Sequence, residues 1–252
     1  YTAALRYLWM LPLMLIVNKL FGSNVRHVLG IIKRDMKSWF IWSQVCFVLF
    51  YVPLCWAVNY LPGWLISATW QLTIIFGVLT TPLVRVKTQQ SGYVRLKIPT
   101  KAIPWMVIIL VGVFLTVASY ITHLKHIAPL LFAIIAIMLA AVAYPLGNRQ
   151  IMATTDGTVT ASEKVLAMLI CSYPTWLIIA TLSYTQVGLP SAPQLLNTFI
   201  VALCSGVIAT VLFFGATQLA VHDMKSLAAV EATQAMEVIF SVRSEERRVG
   251  KE

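Results

Sequence analysis

Four polar side chains that could do chemistry lie inside long apolar stretches of this sequence: Gln71, Glu231, Gln234 and Glu237. A side-chain amide can hydrogen-bond a bound molecule, and a carboxylate can bind a proton or a cation. Polar groups are costly inside a lipid bilayer, so a polar residue within an apolar stretch of membrane length is a candidate for function. The interpretation of all four therefore depends on whether the surrounding stretches cross a membrane.

The composition of the chain is typical of an integral membrane protein. Hydrophobic residues make up 59% of the 252 residues, charged residues make up 11%, and the mean hydropathy is +0.82. A water-soluble domain of this size needs a polar exterior that such a composition cannot supply. The net charge of +10 requires no nucleic-acid partner, because the basic residues fall between the apolar stretches, where they would meet anionic lipid.

Apolar stretches of helical length predict an all-α membrane protein, because a helix satisfies its own backbone hydrogen bonds in lipid. Eight spans can be read from the sequence, of which the last is too short to cross comfortably: 3–21, 39–59, 63–83, 103–121, 127–146, 163–185, 195–219 and 227–242. Lysine and arginine are concentrated in alternate gaps, with 13 on one side of the membrane and one on the other. The gaps after the first, third, fifth and seventh spans are therefore expected to be cytoplasmic.

An internal repeat relates two parts of the chain. A shift of 163 residues aligns Leu49-Phe50-Tyr51 with Leu212-Phe213-Phe214, and it aligns Gln71 with Gln234. The second and third spans thus match the seventh and eighth, five spans further along the chain. Because five is an odd number, the two copies run through the membrane in opposite directions. Inverted repeats of this kind are a recurring transporter architecture, with substrate handled near the midplane. We expect one transmembrane domain over 1–242, with a first repeat at 1–121 and a second at 127–242.

The repeat places the two glutamines at similar depths. Gln71 is the ninth residue of its span and Gln234 the eighth, so each lies about 12 Å along its helix. That depth is near the middle of a hydrocarbon core about 30 Å thick. Both amides could hydrogen-bond a substrate, or they could join neighbouring helices. Trp70 and Tyr51 could face a cationic substrate, with ordinary helix packing as the alternative.

The two acids of the last span are the candidates for proton coupling. Glu231 lies three positions before Gln234 and is expected to share its helical face. A carboxylate that binds either a proton or a substrate could couple export to the proton gradient. The alternative for Glu231 is a favourable place at the start of a helix. Glu237 lies deeper and is expected to face elsewhere.

Other patterns indicate no further chemistry. Arg6 is expected to extend towards the lipid headgroups. His123 and His126 have no nearby acid or cysteine for a metal site, and the four cysteines lack CxxC spacing. A membrane-embedded enzyme would draw on the loop 148–164, where the spacing of Arg149, Asp156 and Glu163 matches no catalytic pattern. We therefore expect neither an enzyme nor a cofactor.

Both ends of the chain are unusual. The chain opens at Tyr1, without a methionine and directly before the first span, and the apolar run that ends at Val242 is followed by the charged decapeptide 243–252. This decapeptide resembles the in-frame translation of a common sequencing adapter, so we expect it to be an assembly artefact. A five-plus-five repeat needs ten helices. The chain is therefore expected to be a fragment that lacks the first and the last of them.

Several segments resemble a known family. The most specific is Pro62-Gly63-Trp64-Leu65-Ile66-Ser67-Ala68-Thr69-Trp70-Gln71, and the others are 5–7, 51–55, 143–149, 205–214 and 228–234. Together they resemble the bacterial multidrug resistance efflux transporters of the drug/metabolite transporter superfamily. The resemblance covers essentially 1–242 and implies a ten-helix inverted-repeat fold. It also implies efflux of small molecules across the cytoplasmic membrane of a bacterium.

The leading hypothesis is therefore a secondary transporter that exports drugs or metabolites by alternating access, coupled to protons. An exporter of an amino-acid-like or other polar metabolite is the alternative, and a membrane enzyme acting on lipid-linked substrates or a membrane scaffold would be a different class. The expected partners are the lipid bilayer and a small-molecule substrate. The sequence leaves open whether the protein forms a homodimer.

Overall fold

The computed structural model describes residues 1–88, 92–95, 98, 103–121, 128–155, 159–220 and 224–249. Ten helices lie in these ranges, and we number them in chain order. They are α1 (Thr2–Leu20), α2 (Val25–Arg34), α3 (Met36–Ala57), α4 (Gly63–Leu79), α5 (Ile103–Ile121), α6 (Ala128–Thr154), α7 (Ala161–Val187), α8 (Ala192–Ala220), α9 (Met224–Ala232) and α10 (Met236–Val249).

Six helices of the described part are long and apolar enough to cross a membrane: α1, α3, α5, α6, α7 and α8. They confirm six of the eight predicted spans as apolar helices. The predicted span 63–83 forms the shorter apolar helix α4. The last predicted span, 227–242, does not form one regular helix, because a 3₁₀ turn at Thr233–Ala235 separates α9 from α10.

The surface of α5 is what a lipid-facing helix requires. Large apolar side chains along it are exposed, including Trp105 at 69% and Phe114 at 68%. A water-soluble protein rarely exposes such a continuous apolar surface, whereas the hydrocarbon of a bilayer would cover it. The described helices therefore support a multi-pass membrane protein.

A short β-hairpin departs from the all-α expectation. Strands β1 (Arg85–Thr88) and β2 (Gly92–Arg95) pair antiparallel, with Arg85 opposite Arg95 and Val86 opposite Val94. Both strands contain valine, which favours the extended backbone. The hairpin follows a 3₁₀ turn at Thr81–Leu83 and lies in the basic gap after the third predicted span. Hydropathy does not predict it, because the segment is neither apolar nor of membrane length.

Two helices, α3 and α8, contain an irregular π-helical segment. It spans Gln44–Leu49 in α3 and Ala202–Ala209 in α8. A π segment accommodates an extra residue in a helix and is frequent at functional sites. In α4 the helix tightens at Gln71, whose N–H donates to Ala68 O at 3.2 Å and whose carbonyl accepts from Ile74 N–H at 3.1 Å.

The described chain divides into two compact units. Unit 1 contains residues 1–48 and 147–221, and unit 2 contains residues 49–146 and 222–252. In unit 1, α1 packs along α7, and the buried Tyr7 ring stacks on Trp176 with centroids 4.1 Å apart. Gly147 approaches the backbone of Cys46 so closely that an added Cβ would lie 2.8 Å from Cys46 Cα. Close contact between helix backbones is typical where a glycine lies at the interface.

Unit 2 has an aliphatic and aromatic core. The Phe50 ring lies 5.2 Å from Trp70 and 4.8 Å from Tyr144, between centroids. The fully buried members of this core include Ala57, Leu65, Ala133, Ile137, Ala140 and Ala141. Small alanines on α6 allow α4 and its large side chains to pack closely.

The tail predicted to be artefactual, 243–252, is not separated from the preceding residues, since α10 continues from Met236 to Val249. Its origin stays a prediction.

Candidate functional site

The two glutamines singled out in the sequence lie together in unit 2. Gln71 Nε2 donates to the Gln234 carbonyl oxygen at 3.5 Å and to Ser67 O at 3.1 Å. Gln71 is only 7% exposed, and Gln234 is half-buried. Each glutamine lies where its helix is interrupted, Gln71 between two segments of α4 and Gln234 in the 3₁₀ turn between α9 and α10. The two glutamines that the shift of 163 residues aligns are thus also in contact.

Polar atoms at this place lack partners. In the described part of the chain, the side-chain oxygens Gln71 Oε1, Gln234 Oε1 and Thr69 Oγ1 are buried and accept or donate no hydrogen bond. Buried polar atoms are nearly always paired, so three unpaired ones, two on nearby residues of α4 and one on the segment that Gln71 contacts, call for an explanation. Two free amide oxygens are acceptors, and a molecule with N–H or O–H donors would satisfy them. We call Thr69, Gln71 and Gln234 the polar centre.

The rings of both aromatic candidates lie near that of Phe50. Trp70 is 7% exposed, and its ring contacts those of Phe50 and Tyr144, so it is a member of the unit 2 core. Tyr51 is half-buried, with its ring centroid 5.7 Å from that of Phe50. Trp70 immediately precedes Gln71 and therefore borders the polar centre. A role for either ring in substrate binding stays a prediction.

The two acids proposed for proton coupling are less well defined. The side chain of Glu231 lies outside the described residues, although its backbone belongs to α9. Glu237 is in the first turn of α10 and is exposed. Glu231 precedes Gln234 by three positions and Glu237 follows it by three, so both acids lie within one helical turn of the polar centre along the chain.

The expectation for Arg6 was wrong. Arg6 is only 6% exposed, and its Nη2 donates to Ser205 Oγ at 3.0 Å instead of reaching the headgroups. Its guanidinium lies 5.5 Å from the centre of the Tyr7 ring. The irregular segment of α8 carries both Ser205 and Gly206, and the absent side chain of Gly206 leaves room beside Arg6 and Met10. A helix distant in sequence therefore supplies a hydroxyl partner that the local sequence could not indicate.

Sequence reasoning missed a second group of buried polar residues, at the start of α7 in unit 1. Glu163 is 5% exposed, and its carboxylate binds His27 Nδ1 at 3.0 Å and the Thr160 backbone N–H at 2.9 Å. Lys164 is 1% exposed, and its Nζ donates to Met152 Sδ at 3.3 Å. The spacing Thr160-x-x-Glu163 is a helix-capping pattern that could have been recognised. Lys164 is one of the basic residues that the sequence assigns to the cytoplasmic side, and nothing in its local sequence predicts its burial.

Metal-binding residues are not gathered in the described part of the chain, which contains no group of three or more His, Cys, Asp or Glu side chains. His123, His126 and Asp156 lie outside the described residues. The four cysteines are free thiols, of which Cys46 and Cys171 are buried.

Comparison with known proteins identifies the family. The sequence profile of the EmrE family, described as "Putative multidrug resistance efflux transporter", matches residues 1–247. A protein of Bacillus subtilis (strain 168) named "Uncharacterized protein YjlA" is 42% identical over 248 residues, which cover 97% of this chain and 76% of the relative.

A more distant relative comes from Shouchella clausii and is named "Uncharacterized 42.1 kDa protein in intracellular alkaline protease 3'region". It is 37% identical over 217 residues, which cover 86% of this chain and 56% of the relative. No solved structure gives a significant match. Because the family profile spans nearly the whole length, the chain belongs to the EmrE family of efflux transporters.

Proposed function

We propose that the protein is a secondary active transporter that exports small molecules by alternating access and binds them at the polar centre. The observation that carries this proposal is the pair of buried, unpaired amide oxygens of Gln71 and Gln234. Family membership supplies the transport class. Polar groups left unpaired inside a membrane protein are retained for a reason, and a passing substrate is one that fits the family.

An inverted five-plus-five repeat is supported by matching irregularities. The first helix of each proposed copy, α3 or α8, carries a π segment. The helix that follows in each copy is interrupted at a glutamine, in α4 at Gln71 and between α9 and α10 at Gln234. Interrupted helices expose backbone groups, and transporters commonly use them to bind substrates near the midplane.

Coupling to protons is the proposed energy source. Glu231 is the first candidate because its spacing from Gln234 predicts a common helical face. Glu237 is the second, since it lies the same number of residues beyond Gln234. A carboxylate at either position could hold a proton or a cationic group of the substrate, but not both, so that release of one accompanies binding of the other.

The alternative is an exporter of an amino-acid-like or other polar metabolite. Two buried cations in unit 1, Arg6 and Lys164, favour it, because a cation shielded from water is suited to an anionic substrate group. The membrane-enzyme hypothesis gains less support, since the Glu163 carboxylate already binds His27 and Thr160. The proposed location is the bacterial cytoplasmic membrane, with the basic gaps on the inner face.

The test of the polar centre is transport by two variants, Gln71→Leu and Gln234→Leu. Each replaces one side-chain amide with an apolar side chain of similar size. Loss of a hydrogen bond to a bound molecule costs about 1–2 kcal/mol, so the half-saturating substrate concentration should rise about tenfold. The measurement is the accumulation of ethidium in everted membrane vesicles. Solutes that build up in cells lacking the gene are tested in the same vesicles.

The matched control is Gln194→Leu, because Gln194 is only half-buried and its side-chain amide donates to Thr2 Oγ1 at 3.2 Å, away from the polar centre. It should transport like the unmodified protein. Unchanged transport by both polar-centre variants would reduce Gln71 and Gln234 to packing residues. If vesicles that contain the unmodified protein accumulate none of the tested solutes under a proton gradient, the proposed export function is wrong.

A further inference from the structure

Lys164 is a lysine almost wholly withdrawn from solvent. It is the fourth residue of α7 and is 1% exposed. Its Nζ donates to Met152 Sδ at 3.3 Å. A thioether sulfur is a weak acceptor, whereas an ammonium offers three strong donors. The hydrogen-bonding capacity of this side chain is therefore mostly unused in the described structure.

The neighbouring carboxylate does not neutralise Lys164. Glu163 directs Oε1 to His27 Nδ1 at 3.0 Å and Oε2 to the backbone N–H and hydroxyl of Thr160 at 2.9 and 3.0 Å. Within the described ranges, His27–Glu163 is the ion pair that the geometry defines. Buried charges in proteins are ordinarily paired. Lys164 thus lacks a counter-charge among the described residues.

Two more buried polar residues lie on α6 within about one helical turn of Met152. Arg149 is 8% exposed and lies one helical turn before Met152, the residue that Lys164 contacts. Asn148 is 4% exposed and lies four residues before Met152, and its Oδ1 is buried without a hydrogen-bond partner in the described structure. The last turns of α6 and the first turn of α7 therefore carry two buried cations and one unpaired acceptor, and the contact between Lys164 and Met152 links the two segments.

A ligand with one carboxylate and one hydrogen-bond donor would complement two buried cations and one unpaired acceptor. A carboxylate would supply the negative charge and the strong acceptors that Lys164 lacks, and charge-assisted hydrogen bonds of this type are the strongest that proteins form. A donor group next to that carboxylate, such as an ammonium or a hydroxyl, would satisfy Asn148 Oδ1. An amino acid or a hydroxy acid carries both groups.

We propose that Lys164, Arg149 and Asn148 form a binding site for a carboxylate solute at the end of unit 1. The site is distinct from the polar centre, which belongs to unit 2. The proposal rests on the proposed transport function only in taking the solute to be cargo. Binding needs an opening of the closed surroundings of Lys164 but no export, so the two can be measured separately.

The experiment is the thermal unfolding midpoint of the purified protein in a neutral detergent with three solutes of one carbon skeleton. Leucine carries a carboxylate and an ammonium, 4-methylpentanoate carries the carboxylate without the ammonium, and leucinamide carries the ammonium with a neutral amide in place of the carboxylate. Leucine and 4-methylpentanoate should raise the midpoint in a saturable manner, since a ligand that binds the native state stabilises it. Leucinamide should leave it unchanged.

Variants assign the effect to the site. Lys164→Met keeps an unbranched side chain of similar length without its charge. It should weaken binding and raise the half-saturating concentration of leucine about tenfold or more. Lys164→Arg keeps the charge and should retain part of the binding. Lys19→Met is the matched control, because Lys19 is exposed on α1 and belongs to the same unit. It should bind leucine like the unmodified protein.

Two results would overturn the inference: no stabilisation by either carboxylate, or equal stabilisation of the Lys164→Met variant. Repeating the measurement in phosphatidylcholine and phosphatidylglycerol nanodiscs separates the sources of the anion. Stabilisation by phosphatidylglycerol that Lys164→Met abolishes, with no effect of the solutes, would assign the site to a lipid headgroup and refute a solute site. Ethidium accumulation in vesicles without carboxylate binding would leave the proposed export function standing.

Discussion

At the scale of single residues, the protein keeps polar atoms buried without strong hydrogen-bond partners among the described residues. Gln71 and Gln234 each retain an unpaired amide oxygen, and Lys164 retains an amine whose acceptor is a thioether. An unpaired buried polar atom costs about 1–3 kcal/mol relative to a paired one. These residues therefore reduce the stability of the described state, as expected where a bound molecule completes the hydrogen bonding.

Glu231 gives the residue-scale prediction on energy coupling. Glu231→Gln preserves the size and hydrogen-bonding character of the side chain but can no longer take up or release a proton. We expect this variant to lose accumulation driven by a proton gradient in everted vesicles, while it still exchanges substrate down a concentration gradient. The reason is that coupling needs a titrating group, whereas binding at the polar centre does not.

A suitable control for this prediction is Asp35→Asn, which makes the same carboxylate-to-amide change at an exposed residue. Asp35 caps α3 by accepting from Ser38 N–H at 3.2 Å, and an asparagine can cap equally well. Its gradient-driven accumulation should be normal. If Glu231→Gln also pumps normally, the coupling role passes to Glu237, and the same assay of Glu237→Gln then decides it.

At the scale of elements, the irregular segments of the helices determine where side chains can meet. The π segment of α3 contains Cys46, which lies against Gly147 of α6, and the π segment of α8 contains Ser205, which binds Arg6 of α1. A π segment changes the direction of the side chains that follow it, because it adds a residue to the turn. Regular helices of the same sequence would present different faces.

The contact between α3 and α6 gives an element-scale prediction. A Cβ added by Gly147→Ala would lie 2.6 Å from Cys46 Cβ and 2.8 Å from Cys46 Cα, so the two helix backbones would have to separate. Overpacking of this kind costs about 1–3 kcal/mol. The variant should show a clearly lower thermal unfolding midpoint in detergent than the unmodified protein.

Gly30→Ala is the matched control, because Gly30 lies within α2 and nothing is within 4 Å of an added Cβ there. Alanine stabilises a helix interior by about 0.5–1 kcal/mol relative to glycine, so this midpoint should stay or rise. An unchanged midpoint in Gly147→Ala would mean that the helices tolerate a wider separation, and close packing would not be the role of Gly147.

At the scale of the whole molecule, the arrangement of basic residues predicts how the chain lies in the membrane. Five predicted spans separate position 30 from position 189, so the two positions should be on opposite faces. Lysine and arginine accumulate in the gaps that contain position 30 and are absent from the turn 186–194. Basic loops are retained on the cytoplasmic side during insertion.

Cysteine labelling in intact cells tests this topology. Gly30→Cys and Leu189→Cys are introduced separately into a variant whose four native cysteines are replaced by alanine. Leu189 is 83% exposed, so a cysteine there is accessible. A membrane-impermeant maleimide should label position 189 in intact cells and position 30 only after the membrane is opened. Labelling of both positions from the same side would contradict the inverted arrangement.

Hydropathy alone determined the class of this protein and the position of its apolar helices. The membrane-crossing potential of a segment is the sum of the transfer free energies of its own residues, so neighbouring sequence suffices to predict it. The repeat in the sequence also related Gln71 to Gln234, and the structure brings the two together. The caps of α2 and α7 follow from local sequence as well, since Asn24 and Thr160 bond the turns that they begin.

Only the tertiary structure decided which polar side chains are buried and what they bind. Arg6 meets Ser205 across 199 positions, and His27 meets Glu163 across 136, through helix contacts that no local pattern encodes. The interruption at Gln71 and the burial of Lys164 likewise depend on neighbouring helices. A helix in lipid can turn any face towards its neighbours at little hydrophobic cost. Side-chain packing and hydrogen bonds between distant segments therefore decide the faces that meet.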